Sequence, residues 1–327
     1  MDALKDLFHN VRLRRSLSWM ALFAILAGLL TGTVITTNKV DYIWRWEQIP
    51  RYILFNETIE VIVEEDATVT AVENEGANTL IVAVNFFDEE KYYTVPTKML
   101  SVKVGDEIQR GLTLAEGKRW KPGLLLTGLF MTLKISVLSI ILGIFIGLVT
   151  GLARLSNSPA PKWIAIGYIE LIRGTPLLVQ IYIFYFFIGQ VFRLSSFMAG
   201  TLALSFFAGA YIAEIIRAGI QSIHRGQMEA ARSLGMNYPQ AMQHIILPQA
   251  FKRILPPLAG QFISLIKDSS LVGVIALVEL TRAGREIGTS TFNYFEVFFT
   301  VAILYLILTF SLSMVVQYLE RRFAASD

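Results

Sequence analysis

Six long apolar runs punctuate the 327-residue chain. Leu17 to Thr37 comes first and holds no charged residue. After Pro122 the runs follow one another closely: Gly123 to Leu152, Trp163 to Val191, Phe197 to Ile220, Ile254 to Leu280 and Phe295 to Leu319. A transmembrane helix needs about 20 mainly apolar residues, so each run is read as a span. At about 1.5 Å per residue, Gly123 to Leu152 is longer than the hydrocarbon core is thick, and must tilt or protrude. Between the first two spans the period changes. TIEVIVEEDATVTAV and NTLIVAVNFF alternate and are rich in β-branched residues, which predicts strands.

Composition agrees with the pattern. Hydrophobic residues make up 54% of the chain and charged ones 17%, with a mean hydropathy of +0.53. A soluble chain of this length carries roughly 25% charge. Cysteine is absent, which excludes disulfides and thiolate metal sites. Lys and Arg in short loops set direction. With the N-terminus inside, residues 1–16, 153–162, 221–253 and 320–327 are cytoplasmic and hold 12 Lys and Arg. The short loops on the other side hold Arg193, Arg282 and Arg285. Both termini are therefore expected in the cytoplasm. The net charge of +3 belongs to the cytoplasmic loops, so it does not indicate nucleic-acid binding. Arg12, Arg14 and Arg15 precede the first span. Its apolar run exceeds the h-region of a signal peptide and no small-x-small site follows, so it reads as a signal anchor.

The expected fold class is an all-α polytopic membrane protein of six transmembrane helices with a small extracytoplasmic β-rich domain. Three parts follow: 1–37, cytoplasmic tail and anchor span; 38–121, β-rich insert; 122–327, a five-span domain with a cytoplasmic loop at about 221–250. VKVGDEIQRGLTLAEG, Val102 to Gly117, resembles the hairpin of barrel-sandwich domains such as lipoyl carriers, with a turn at Gly105-Asp106. Lys91 lacks the flanks of a carrier lysine, so an unmodified structural domain is expected. GLTLAEGKR, Gly111 to Arg119, only mimics a phosphate-binding loop: its glycines are one residue too far apart, and Arg119 stands where Ser or Thr must be.

The cytoplasmic loop carries EAARSLGMNYPQAMQHIILP, Glu229 to Pro248. Gln227 to Leu234 has helical composition, and Gly235 can end that helix in a left-handed cap. Asn237 is placed to cap a second short helix with Pro239 in its first turn, and Pro248 is expected to stop it. Ala241, Ile245 and Ile246 fall on one face. The result is a helix–turn–helix lying across the membrane face. An ordinary inter-span connection needs fewer residues, and amphipathic helices commonly dock into a partner's groove.

Glu229-Ala230-Ala231, Gly235, Ile245, Leu247 and Pro248 match the E-A-A-x3-G-x9-I-x-L-P signature of bacterial ABC importer permeases. ELIRGTPLLVQ, AYIAEIIRAGIQSIHRGQ and LIKDSSLVGVIALVELTRAG resemble the polar amino-acid uptake group of that family. The resemblance covers residues 122–322. Residues 1–121 depart from it, since the typical member has five spans and starts outside. An added anchor and insert preserve the orientation of the rest. The resemblance implies a bacterial inner-membrane permease domain that is not itself catalytic. It implies separate ABC ATPase subunits that bind ATP and Mg and dock on Glu229, Ala230, Ala231, Gly235 and Pro248. It further implies a second permease subunit, identical or paralogous, an extracytoplasmic amino-acid-binding protein and an amino-acid substrate. No cofactor is expected in this chain.

Ionisable residues within spans are costly and become functional candidates. Glu170 and Arg173 precede Gly174-Thr175-Pro176, where Pro176 is expected to kink or break the helix. Lys267-Asp268-Ser269-Ser270 interrupts a later span in a similar way. A zwitterionic substrate needs a carboxylate for its ammonium group, a role open to Glu170 and Asp268, and donors for its carboxylate, such as Ser269, Ser270 or exposed N–H groups; Arg173, Thr175 and Lys267 join these as candidate pathway residues. Equally, Glu170 can pair with Arg173, and Lys267 with Asp268. Glu214 and Arg217 read as a structural pair. The same charges also suit a secondary transporter or ion channel, although the docking loop argues against it. His9, His224 and His244 are scattered and indicate no metal site. Trp44, Trp46, Trp120 and Trp163 are candidate interfacial anchors.

Overall fold

The computed structural model describes residues 11–39, 42–75, 78–97, 100 and 102–324, which excludes His9. The chain forms two compact units, 1–46 and 47–327. The first contains helix α1, Val11–Lys39, which includes the predicted first span. Trp44 and Trp46 stack with ring centroids 5.6 Å apart.

The second unit begins with a short helix α2, Ile49–Ile53. Strand β1, Leu54–Ile62, follows at once and pairs antiparallel with β6, Thr113–Pro122, from Leu54↔Pro122 to Ile62↔Thr113. At the far end of this ribbon, β2 (Ala67–Glu75), β3 (Asn78–Asn85), β4 (Glu90–Pro96) and β5 (Glu107–Ile108) form a four-stranded sheet in the order β4-β3-β2-β5. The alternation of NTLIVAVN is reproduced in burial: Ile81 and Ala83 are fully buried, and they pack with Val63, Val69, Val95, Ile108 and Leu114. The turn at Gly105-Asp106 forms as expected, with Gly105 at φ +95° and the Asp106 carboxylate accepting from Lys103 N at 2.8 Å. The predicted hairpin does not. Its two arms join different sheets, β5 pairing with β2 and β6 with β1, because Gly111 (φ +87°) turns the chain a second time. Gly117 lies in β6 opposite Ile59, so GLTLAEGKR is a turn and a strand. Lys91 lies within β4 and faces Glu65 at 3.9 Å.

The ribbon runs directly into helix α3, Leu124–Arg154. Gly123 donates to Ile53 O at 2.7 Å, and a Cβ there would collide with the Tyr52 carbonyl. Next come α4 (Pro159–Arg173), α5 (Leu177–Ile183) with a π-helical extension over Phe184–Gly189, α6 (Ser196–Gln221), α7 (Arg225–Ser233) and α8 (Tyr238–Ala241). A π segment, Met242–Ile246, leads into α9 (Leu247–Asp268), continued by a 3-10 segment over Ser269–Ile275. Helices α10 (Leu280–Thr291) and α11 (Tyr294–Ala324) complete the chain.

Among the described residues, four of these helical stretches are long and apolar enough to cross a membrane, and a fifth if α4 and α5 count as one broken span. Helices α3 and α6 make the most extensive helix–helix contact. Lipid supplies no hydrophobic force between helices, so close approach through small residues matters. Gly143, Gly147 and Gly151 of α3 face Ala208, Ile212 and Ala213 of α6. A Cβ on Gly147 would lie 2.6 Å from Ile212 Cγ2. Ser139 Oγ donates to Thr201 O across the seam at 3.2 Å, satisfying a buried hydroxyl. Leu177 and Ile181 of α5, Leu265 of α9, and Val272 and Ile275 of the 3-10 segment extend this core. Helix α2 packs through Ile49 with Leu125, Leu280, Ala283, Ile287 and Val297, fixing the root of the ribbon to α3, α10 and α11.

Candidate functional site

The segment from His224 to Ile246 is built by local rules. His224 opens α7, its Nδ1 accepting from Gly226 N at 3.1 Å. Gly235, at φ +82°, closes it. Gly235 N donates to Arg232 O at 3.0 Å and Met236 N to Ala231 O at 3.1 Å. These are the paired bonds of a Schellman turn, which satisfies carbonyls otherwise orphaned at the helix end. Two residues later a capping box starts α8: Gln240 N donates to Asn237 Oδ1 at 3.0 Å, and Asn237 N to Gln240 Oε1 at 2.9 Å. Pro239 sits in the first turn, where its missing N–H has no partner to lose.

The predicted apolar face is present. Ala241 and Ile246 are buried and Ile245 half-buried, with Ile246 and Ile245 packing in a cluster with Ile223 and Ala250. Ala231 is also buried, while Glu229 and Ala230 are exposed. On either side of Gly235, Leu234 is 84% exposed and Tyr238 61%. Tyr238 also lines a cavity of about 520 Å³, with Ile223, His224, Arg225, Met228 and Met242. His244 Nδ1 contacts Gln240 O at 3.0 Å, within its own helix.

Pro248 does not stop the helix. The chain stays helical from Tyr238 to Ile275. The π segment just before Pro248 shifts the hydrogen-bond register, so proline falls in the first turn of α9, where no donor is required of it. Gln249 Nε2 adds a bond to Ile245 O at 2.9 Å.

The second feature is a pair of breaks in the apolar helices. Helices α4 and α5 bend by 107° at Gly174-Thr175-Pro176, far more than a proline kink. Gln180 holds this corner. Its side chain is buried, and Nε2 lies 2.7 Å from Ile172 O, 3.1 Å from Thr175 O and 2.8 Å from Thr175 Oγ1. The other is a change from α to 3-10 helix at Ser269, within a stretch that stays helical to Ile275, with the break itself at Ala276, whose φ is +64°. Helix α5 packs against this 3-10 segment, so the two breaks are neighbours.

The named polar residues divide between these breaks. Glu170 is exposed and does not pair with Arg173, which turns instead to Glu214 at 3.9 Å and stacks over the Tyr211 ring, 5.5 Å from its centroid. Thr175 Oγ1 donates to Leu171 O at 2.9 Å. Lys267 is exposed, Asp268 and Ser270 are half-buried, and Ser269 is buried with its hydroxyl donating to Ile266 O at 2.7 Å. The expected Glu214–Arg217 pair forms at 2.9 Å but is part of a larger group: Arg154 of α3 and Arg173 of α4 also reach Glu214. One carboxylate within α6 thus ties the C-terminal ends of α3 and α4 to that helix.

Two features escaped the sequence reading. Gln180 sits four residues past Pro176 in an otherwise apolar run, a signal that was available. Glu279 is fully buried and caps α10, accepting from Thr281 N at 2.8 Å and Arg282 N at 2.7 Å, with the Tyr305 hydroxyl donating at 3.1 Å. Glu279 directly precedes a helix, a capping position, but its tie to Tyr305 depends on the fold.

Comparison with known proteins identifies the family. The family described as binding-protein-dependent transport system inner membrane component matches residues 125–325. The chain is similar to the glutamine transport system permease protein GlnP of Escherichia coli (strain K12), 44% identical over 202 residues that cover 61% of this chain and 92% of GlnP. It is similar to the arginine transport system permease protein ArtQ of Bacillus subtilis (strain 168), 40% identical over 205 residues, 62% of this chain and 94% of ArtQ. The crystal structure of an amino acid ABC transporter with histidines aligns at a TM-score of 0.58 with 44% identity, covering 61% of this chain and 94% of that one.

Proposed function

Because the chain belongs to the family of binding-protein-dependent transport system inner membrane components, we propose that it forms the translocation pathway of an ATP-driven importer for a polar amino acid. The observation that carries this reading is the α7–α8 element. It bears the E-A-A…G signature, it is locked by a Schellman turn and a capping box, and it leaves Leu234 and Tyr238 exposed, Tyr238 at the mouth of an open cavity. In this reading Glu229 and Ala230 face the ATPase subunit. Ala231 lets α7 pack closely, Gly235 sets the angle between the two helices, and Pro248 lies where their movement passes into α9. The chain is a permease subunit, and ATP is hydrolysed by its partner.

The remaining assignments follow. The chain crosses the bacterial inner membrane six times, counting α1, with both termini in the cytoplasm and residues 38–121 outside. A second permease subunit, identical or paralogous, completes the pathway. Glu170, Arg173 and Thr175 at one break, and Lys267, Asp268, Ser269 and Ser270 at the other, line the route of the substrate. The packing of α5 against the 3-10 segment supports this grouping, as does the exposed backbone that broken helices offer to substrates. The amino-acid class rests on relatives whose names include glutamine and arginine transport.

The test is uptake by the complete transporter in proteoliposomes, with its binding protein and internal ATP, across a panel of amino acids. Saturable, ATP-dependent uptake of a polar amino acid is expected. Glu170→Gln together with Asp268→Asn should raise the KM for that amino acid while the ATPase subunit stays bound. Uptake that persists without ATP would sink the importer reading. An unchanged KM would sink the pathway assignment alone.

A further inference from the structure

The tip of the β3–β4 hairpin presents two aromatic rings to solvent. Phe86 is 94% exposed and Phe87 80%, and their rings meet edge to face at 5.8 Å. Neither ring contributes to the β core, although both belong to NTLIVAVNFF, the most strongly strand-forming stretch of the insert. A turn serving only to connect two strands favours small polar residues.

The tip is held in one shape. Asn85 Oδ1 accepts from Phe87 N at 3.0 Å and from Glu89 N at 2.9 Å. Its Nδ2 donates to Glu65 Oε2 at 3.1 Å and lies 3.3 Å from Glu89 Oε2. Asp88 takes a φ of +64°, a conformation that aspartate tolerates better than most residues. The two rings are therefore presented on a rigid mount, which lowers the entropy lost on binding.

The surroundings define what the tip fits. Glu64, Glu65 and Asp66 adjoin it across the Asn85–Glu65 contact, and Asp88, Glu89 and Glu90 follow it in sequence. Among the described residues, Lys91 faces this group through Glu65 at 3.9 Å, and Arg110 meets it through its backbone, its N donating to Asp66 Oδ1 at 2.6 Å. Next to Phe86 lies a notch of about 320 Å³ whose lining includes Asp66, Asn85, Phe86 and Glu107. An aromatic tip ringed by carboxylates is repelled by an anionic bilayer surface, and two copies of such a tip repel each other. A basic protein surface with an apolar depression complements it.

We propose that the Phe86–Phe87 tip is a docking knob for the extracytoplasmic binding protein. The rings enter an apolar depression on that protein, and a Lys or Arg side chain from its rim enters the notch between Asp66 and Glu107. The proposal rests on the importer reading, with residues 38–121 outside. The β1–β6 ribbon fits this role. It carries the tip away from the helices on a paired strand continuous with α3 and anchored by α2, so a captured protein stays near the pathway.

The experiment uses the full transporter in nanodiscs containing anionic lipid, titrated with its binding protein while stimulated ATPase activity is measured. Phe86→Ser with Phe87→Ser should raise the half-saturating concentration of binding protein about tenfold or more, with the maximal rate unchanged. Glu64→Lys with Glu107→Lys, two exposed carboxylates that take no part in holding the tip, should raise it as well and flatten its dependence on salt. Both pairs alter exposed side chains, so folding is preserved. Unchanged half-saturation in both variants overturns the proposal. So does quenching of a Phe87→Trp variant by brominated lipid, which would assign the tip to the bilayer, or self-crosslinking of a photoreactive residue at 87, which would assign it to a second copy. Absence of any stimulation in the unsubstituted transporter would instead refute the importer reading beneath it.

Discussion

The seam between α3 and α6 and the turn between α7 and α8 both depend on glycine, yet an added methyl group would meet different surroundings in each. At Gly147 it would lie 2.6 Å from Ile212 Cγ2 and 3.0 Å from Gly209 O. At Gly235 nothing lies within 4 Å, and the constraint is the φ of +82°. The first glycine exists for space and the second for conformation. The seam is therefore a product of the whole fold, since its halves are some sixty residues apart in sequence, as the Arg154–Glu214 pair at its end illustrates. The turn is a product of about a dozen consecutive residues. A transporter needs both kinds of part: a packed body that transmits displacement, and a self-contained element that can dock on another subunit without relying on the body for its shape.

The largest effect should come from Gly147→Val. An isopropyl group forced into the seam should destabilise the chain by about 3 kcal/mol, seen as a lower midpoint in thermal unfolding in detergent. Ile212→Ala, which frees the colliding group, should recover part of the loss. An unchanged midpoint would mean that the helices are not in contact there. Next is Glu214→Gln, which leaves Arg154, Arg173 and Arg217 around a neutral amide. These side chains are partly exposed, so the cost should be about 1–3 kcal/mol, between the values for surface and buried pairs. A loss no larger than that of Glu170→Gln would contradict the tying role of Glu214. Gly235→Val should cost about 1–2 kcal/mol locally, because a β-branched residue is strained at positive φ. It should depress uptake far more than it depresses the unfolding midpoint. Smallest is Asn237→Ala, which removes the capping box for about 1 kcal/mol. Hydrogen exchange should rise in α8 and not in α3. Set against Gly147→Val, these two variants sharpen the contrast: perturbing the seam should be felt throughout the chain, and perturbing the turn should stay within it.

That contrast also explains what was legible beforehand. Gly235, Asn237 and Pro239 act through neighbours two to four residues away, so spacing alone revealed the two-helix element. The break at Pro176 was visible for the same reason. Its 107° angle was not, because it depends on Gln180 turning back to Ile172 and Thr175. Pro248 misled for an opposite reason: a π segment changed the hydrogen-bond register just ahead of it, and apolar periodicity does not reveal such a shift. In the β-rich part, alternation identified the strands and Gly105-Asp106 the turn. The pairing of β6 with β1 rather than β5 was set by sequence-distant contacts. Arg173 illustrates the same limit, since its i, i−3 carboxylate Glu170 was the obvious partner and the folded chain supplies Glu214 instead.

The central claim is that the exposed edge of the α7–α8 turn is where an ATPase subunit binds. Leu234 reports on it most directly, because it is 84% exposed and packs into no core among the described residues. Leu234→Asp should therefore leave the unfolding midpoint of the isolated chain unchanged. In the purified complex it should weaken binding of the ATPase subunit at least tenfold and reduce ATP-dependent uptake in step. Full retention of the ATPase subunit and of uptake in this variant would contradict the account.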